Sequence, residues 1–153
     1  MYKNKKMKYN IFLLTKQRVI QMNEKILEIR ETDFIYESGS YYPESMEGFI
    51  IKTENQEIQL GISSGQSCCE NYGYFMTNDN IEDFVGATIR EIRLTNTLLE
   101  VEDFNKEYSG DVMFVNIETN KGTLQFVAYN DHNGYYGHDA LVVSRQLHHK
   151  ECL

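Results

Sequence analysis

An internal repeat is the feature that most constrains what this chain can fold into. The segments KILEIRETDFI (residues 25–35) and TIREIRLTNTL (residues 88–98) share the motif I-x-E-I-R. Each is followed by an alternating apolar run, a polar turn and a second alternating run, first within 48–62 and again within 113–129. Because self-similarity in the same order indicates that one unit occurs twice, we predict two tandem β repeats at about 24–76 and 87–147.

The alternation within each repeat predicts strands. Ile26, Glu28 and Arg30 alternate with Leu27 and Ile29, and a second period of two runs over 123–128, which is the pattern of a half-buried strand. The turn Asn120–Gly122 suits a hairpin, because Asn and Gly tolerate positive φ. Each repeat is therefore expected to contain a strand, a long polar loop, two strands joined by a tight turn, and a Gly- and Tyr-rich loop. The end of the chain, ALVVSRQL, is expected to form a last strand, followed by a tail with His148 and His149.

The segment TNDNIEDFVGA between the repeats predicts a short linking helix over 79–85. Thr77 or Asn78 can cap it, its first turns are acidic, and Gly86 can end it in a left-handed conformation. Its inward residues are expected to be Ile81, Phe84 and Val85. The predicted fold class is α+β, a mostly antiparallel sheet built from two similar units that this helix joins. The domain boundaries are an N-terminal arm, 1–22, and a single domain, 23–153.

Charge and cysteine usage narrow the functional classes. The net charge of −8 disfavours nucleic-acid binding, which usually needs a basic face. The basic N-terminus carries an apolar run, Ile11–Leu14, that is too short for a signal peptide or a membrane span. The chain has three cysteines, an odd number, and two of them are adjacent. Because a bridge between adjacent cysteines closes a strained ring, reduced thiols and a cytoplasmic location are expected.

Two loops carry residues with chemistry, SSGQSCCENYGYF (63–75) and YNDHNGYYGHD (129–139). Cys68, Cys69, His132 and His138 are the ligand types that zinc prefers, although their spacing matches no standard zinc pattern. The same residues could instead form a thiol nucleophile with a histidine partner. A small metal- or thiol-dependent enzyme is therefore one alternative for the function, while the chain otherwise predicts no cofactor.

The same loops also suit binding without catalysis. Tyrosine, asparagine and glycine residues offer flat faces, neutral hydrogen bonds and close backbone approach, for a nucleotide, another small polar molecule or a protein surface. Two acidic loops at matching repeat positions add a negative patch that could dock a basic partner. Open strand edges could also pair two copies into a homodimer. The predicted contact residues are Tyr72, Tyr74, Asn133, Tyr135, Tyr136, Glu100, Glu102 and Asp103.

The segments LGISSGQSCCENYGYFMTNDNIEDFVGA and NIETNKGTLQFVAYNDHNGYYGHDALV carry a resemblance. Over about Met22–Ser144 the chain resembles a family of small proteins of unknown function from phages, prophages and other mobile elements of Gram-positive bacteria. The resemblance implies a setting rather than a mechanism, since small phage proteins often bind host enzymes or defence proteins. The expected function is a non-enzymatic binding protein that inhibits a host factor, such as a CRISPR nuclease.

Overall fold

The computed structural model describes residues 19–37, 39, 42–65, 71–95, 111–131 and 136–153. These residues form one antiparallel sheet of nine strands and a 3₁₀ helix, Ile81–Phe84. The strands are β1 (Val19–Tyr36), β2 (Glu44–Thr53), β3 (Glu57–Ser63), β4 (Asn71–Met76), β5 (Thr88–Thr95), β6 (Asp111–Thr119), β7 (Gly122–Asp131), β8 (Asp139–Val143) and β9 (His148–Cys152).

The strand order is β4-β7-β6-β5-β1-β2-β3-β8-β9. Three consecutive strands form a meander in each repeat, β1-β2-β3 and β5-β6-β7. The fourth strand of each repeat then crosses over and pairs with the third strand of the other repeat, β4 with β7 and β8 with β3. Exchanging β1–β4 with β5–β8 leaves the order of these eight strands unchanged, as a duplicated unit would require.

The long strand β1 connects two halves of the sheet. Its residues 19–25 pair with β5, and its residues 26–36 pair with β2, with register shifts on both sides of the change of partner. Buried side chains from both halves form a single hydrophobic cluster. Within it the Phe49 ring of β2 lies edge-on to Phe126 of β7, at 6.1 Å between centroids. The two halves therefore pack face to face, with β1 as the shared strand.

A buried carboxylate lies where β1 changes partner. Glu24 is 7% exposed, and it accepts hydrogen bonds from Thr53 Oγ1 at 2.8 Å and from Gln56 Nε2 at 2.8 and 3.0 Å. Asn55 Nδ2 lies at 3.5 Å. Since buried polar groups are stable only when hydrogen-bonded, Glu24 ties β1 to the turn between β2 and β3.

The predicted α+β class is wrong, because the described residues form an almost entirely antiparallel β structure without an α-helix. The linking segment contains only the 3₁₀ helix Ile81–Phe84, in place of the helix predicted over 79–85. Main-chain hydrogen bonds explain this: Thr77 is still bound to β7, and Gly86 is already bound to Ile26 of β1. Too few residues remain between these anchors for an α-helix of ordinary length.

Details of the linker agree only in part with the expectation. Phe84 is buried as predicted, whereas Val85 is exposed. Gly86 does adopt a left-handed conformation, with φ of 88°. The helix begins after Asn80, rather than after Thr77 or Asn78, and Asn80 makes no side-chain capping hydrogen bond.

Two other segments differ from the expectation. The sequence NYGYFM, predicted as part of a loop, is strand β4, and the tail with His148 and His149 is strand β9.

The predicted hairpin is present, with β6 ending at Thr119 and β7 beginning at Gly122. Residues 1–18 of the predicted arm lie outside the described residues, and the remainder of that arm belongs to β1. No helix in the described part of the chain is long and apolar enough to cross a membrane.

Candidate functional site

Strand β4 is at one edge of the sheet. Just beyond the end of β4, the main-chain N–H of Thr77 donates to the main-chain carbonyl oxygen of Gln125 in β7 at 3.0 Å. In an antiparallel ladder the hydrogen-bonded positions alternate, so the main-chain groups of Tyr74 and Met76 point away from β7. No strand of the described residues pairs with this outer side of β4.

The corresponding edge in the other repeat is covered. Leu60 and Phe126 occupy matching positions in the runs IQLGI and LQFVA, and their cross-strand partners are Val142 and Met76. Strand β8 is therefore the counterpart of β4, and its outer side pairs with β9. The ladder continues beyond the strands, with mutual main-chain hydrogen bonds between His138 and Leu153 at 3.0 and 2.7 Å.

The two edges of the sheet differ in charge. Strand β9 carries Lys150, whose Nζ lies 2.9 Å from Glu44 and 3.2 Å from Asp139. Charged side chains on a short edge strand discourage further pairing. Strand β4, with the sequence NYGYFM, has no charged residue, so its edge lacks this protection.

Three carboxylates of β1 and β2 lie near the Tyr74 hydroxyl, and we call Glu31, Asp33 and Glu47 the acidic rim. The Tyr74 hydroxyl donates to Glu31 Oε1 at 2.8 Å. Burial, followed by this bond to the Glu31 carboxylate, raises the pKa of Tyr74 far above its usual value, and Glu47 and Asp33 raise it further. None of the ion pairs within the described residues includes a rim carboxylate. The rim is thus a negative surface without a described counter-charge.

At the other end of β4, two aromatic rings join the flanks of the two loops. Tyr72 stacks on His138, with 3.9 Å between ring centroids and 20° between planes. Tyr72 and His138 are also counterparts in the two repeats. The Tyr72 hydroxyl accepts a hydrogen bond from the Gly65 N–H at 3.1 Å, and Asn71 pairs with Asp131. The described residues on either side of 66–70 and of 132–135 therefore meet at this end of β4.

His138 is only 3% exposed. Its Nδ1 lies 2.8 Å from the Ser63 carbonyl oxygen, and since a carbonyl only accepts, Nδ1 carries the proton and donates. The Ser63 hydroxyl in turn accepts from the Asp139 N–H at 3.0 Å. His138 is therefore held within the sheet rather than displayed on a loop.

Asn130 lies on β7 opposite Tyr72 and is fully buried. Its Nδ2 donates to the main-chain oxygens of Tyr136 at 2.8 Å and Leu153 at 3.1 Å. Among the described residues, its Oδ1 is the one buried side-chain oxygen without a hydrogen-bond partner. The Asn130 amide therefore ties β7 to the chain before β8 and to the last residue, Leu153.

The structure brings together some of the predicted site residues. Tyr72 and Tyr74 lie on β4, the Tyr136 main chain contacts Asn130, and His138 stacks on Tyr72. The Tyr136 side chain is 40% exposed. The remaining predicted residues lie outside the described part of the chain: Cys68, Cys69, Glu100, Glu102, Asp103, His132, Asn133 and Tyr135.

The predicted zinc ligands can be compared with the structure only in part. Three of the four fall outside the described residues, and His138 is the fourth. Within the described ranges, no cluster of three or more His, Cys, Asp or Glu side chains is placed to hold a metal. The metal set therefore stays a prediction.

The sequence interpretation missed the acidic rim. Glu31 and Asp33 are two residues apart on a strand and so share a face, a signal that alternation could have revealed. Glu47 joins them only because β2 places it directly opposite Asp33, which no local pattern indicates.

A family model described as "Domain of unknown function (DUF7448)" matches residues 13–142. The chain belongs to this family. The DUF7448 match spans the two meanders and most of β8, and so includes β4, the acidic rim and the Tyr72–His138 stack. Neither the comparison with curated proteins nor that with solved structures gave a match.

Proposed function

We propose that this chain is a non-enzymatic binding protein whose β4 edge takes up an extended, basic segment of a partner protein. One observation carries the proposal: the β8 edge is covered by β9, whereas the matching β4 edge is uncharged and is the last strand of the sheet that the described residues form. Addition of a peptide strand to an exposed sheet edge is a common mode of recognition, in which main-chain hydrogen bonds supply affinity.

The surroundings of β4 indicate which side chains the added strand would carry. A residue opposite Tyr74 would share its face and approach the acidic rim, which favours lysine or arginine. Residues on the other face would meet Phe75 and Tyr129, whose rings lie 6.3 Å apart, which favours apolar or aromatic groups. The partner segment is therefore an alternation of basic and apolar residues.

The resemblance to phage and prophage proteins supports a host factor as the partner, encountered in the cytoplasm, and inhibition as the consequence. Proteins that bind nucleic acids carry basic surfaces, so a host defence nuclease such as a CRISPR effector fits both the acidic rim and the net charge of −8. This part of the proposal rests on resemblance and charge.

Selection from random ten-residue peptides displayed on phage tests the binding mode. We expect enrichment of extended sequences that alternate basic and apolar residues. Titration calorimetry should then show at least about tenfold weaker binding by the double variant Glu31→Lys, Asp33→Lys, since each close charge pair contributes up to about 1 kcal/mol and reversal turns attraction into repulsion.

The matched control is Glu54→Lys, Glu82→Lys, which makes the same change in net charge at exposed positions away from the rim. An equal loss of peptide affinity in both double variants would show that only the net charge matters, and would reject the β4 site. Selected peptides without basic residues would also reject it.

Inhibition is tested in a bacterial host whose CRISPR nuclease restricts a targeted phage. Expression of the chain should restore plating of that phage, and the Glu31→Lys, Asp33→Lys variant should not. If both the unaltered chain and the variant restore plating, inhibition does not depend on the β4 site.

One observation favours a second candidate, a metal or thiol site. The flanks of the Cys68–Cys69 loop and of the His132 loop meet at Tyr72 and His138, so the topology allows these side chains to approach one another. Elemental analysis with native thiol titration tests it. About one zinc per chain, with protected thiols, would support this candidate.

A further inference from the structure

We infer that the N-terminal segment of this same chain, residues 1–18, competes with the partner for the β4 edge and so regulates access to it. This inference rests on the function proposed for that edge. It adds an internal ligand, which would hold the site occupied until a tighter-binding segment displaces it.

The composition of the segment matches the chemistry that the edge requires. Residues 1–18 contain no Asp or Glu, in a chain whose net charge is −8. They combine their positive charge with an apolar run, Ile11–Leu14. The basic residues are Lys3, Lys5, Lys6, Lys8, Lys16 and Arg18.

The segment is long enough to reach the edge. It joins the sheet at Val19, which pairs with Arg93 of β5, and β4 is four strands away from β1 along that half of the sheet. A segment on the outer side of β4 lies one position further out, and with neighbouring strands about 4.8 Å apart the path over five spacings is about 24 Å. Lys8 lies 11 residues before Val19 and can extend up to about 36 Å from it, which leaves residues to pair with β4.

Charge also favours this occupant over a second copy of β4. Pairing β4 with β4 would bring two acidic rims towards each other, and like charges at close range are destabilising. The basic segment instead meets the rim with opposite charge. Its tether gives an effective concentration on the order of 1 mM, which allows even a weak contact to be occupied.

Photocrosslinking in the full chain tests the contact directly. Tyr9 is replaced by p-benzoylphenylalanine, and equal amounts of ¹⁵N-labelled and unlabelled chains are mixed before irradiation. We expect cross-links to β4 or to residues 31–33 that join peptides of the same isotope. Cross-links mainly between isotopes would mean that the occupant comes from a second copy, and cross-links elsewhere or none would overturn the inference.

The rim variants provide the control for this experiment. Glu31→Lys, Asp33→Lys should abolish the cross-link, whereas Glu54→Lys, Glu82→Lys should retain it. Persistence of the cross-link in the first variant would show that charge complementarity does not hold the segment there.

Competition is measured with a peptide obtained by the phage selection. The full chain carrying Lys6→Glu, Lys8→Glu should bind this peptide about tenfold more tightly than the unaltered chain, because an internal competitor at millimolar effective concentration has been weakened. The control Lys25→Glu, Lys52→Glu reverses two exposed lysines outside the segment and should not increase affinity.

The outcomes separate the two proposals. If the peptide binds but the Lys6→Glu, Lys8→Glu change has no effect beyond the control, the inference fails and the proposed function stands. If no selected peptide binds either form, the proposed function fails, and the inference with it.

Discussion

Replacement of Glu24 tests whether a buried carboxylate holds the change of partner in β1. Glu24 is 7% exposed and accepts two short hydrogen bonds, from Thr53 Oγ1 and Gln56 Nε2, each at 2.8 Å. Glu24→Gln keeps the size of the side chain but removes its charge, and Glu24→Ala removes both acceptors. The two variants should therefore lower the free energy of unfolding by different amounts.

The magnitudes follow from these two bonds. A hydrogen bond to a charged group contributes about 1.5–3 kcal/mol, and a neutral one about 0.5–1.5 kcal/mol. Glu24→Gln weakens both bonds by about 1 kcal/mol each, so we expect a loss of about 2 kcal/mol. Glu24→Ala also leaves a small cavity, and we expect a loss of about 3–4 kcal/mol.

Urea unfolding monitored by tyrosine fluorescence measures these losses, with an unchanged m-value as the sign that both states keep their compactness. The control is Glu28→Gln, because the Glu28 side chain is 50% exposed and its contact with Arg30 is 3.4 Å long. We expect the control to cost less than about 0.5 kcal/mol. A Glu24→Ala variant within about 0.5 kcal/mol of the unaltered protein would refute the reasoning.

Other predictions concern the two ends of β4. Absorbance titration at alkaline pH should show that Tyr74 ionises well above the usual range of a tyrosine, and Glu31→Gln should lower the pH at which it ionises. The pKa of Tyr74 is raised in the folded state, so its contribution to stability is complete below the pKa of the unfolded chain, about 10. That contribution is lost as the pH rises above this value, and urea unfolding at increasing pH measures the loss. Leu153→Ala should cost about 2–5 kcal/mol in the same assay, because Leu153 is 3% exposed within the core cluster; a cost below about 0.5 kcal/mol, as at an exposed position, would contradict this burial. The double variant Cys68→Ser, Cys69→Ser should bind the selected peptide within about twofold of the unaltered chain, since scatter of a few tenths of a kcal/mol is expected for residues outside a contact; a large loss together with loss of bound zinc would favour the metal site.

Local patterns in the sequence predicted several strands correctly. Alternation in 26–30 and 123–128 identified β1 and β7, and the Asn120–Gly122 turn identified the hairpin before β7. In β1 the pattern succeeds because exposed residues alternate with more buried ones along most of the strand. In β7 residues 124–128 are buried on both faces, and the polar residue of the pattern, Gln125, is buried with a hydrogen bond from its Nε2 to Asn116 Oδ1 at 2.7 Å.

The same reasoning failed for β4. Its sequence reads as a loop because it contains Gly73 beside Asn71 and two tyrosines. The structure shows why glycine is needed there: a Cβ atom at Gly73 would lie 2.6 Å from the Tyr129 hydroxyl. The requirement comes from a ring on the neighbouring strand β7, and the segment 71–76 does not reveal it.

The sequence by itself determined the strands of the two meanders and the negative net charge, because these depend on composition and on neighbours a few residues apart. The tertiary structure alone decided that β4 and β8 exchange between the repeats, and that Tyr72 stacks on His138. It also decided that Glu47 joins Glu31 and Asp33 in one rim. Pairing between distant strands depends on how two faces bury their side chains together, and that choice is made only when the whole chain packs.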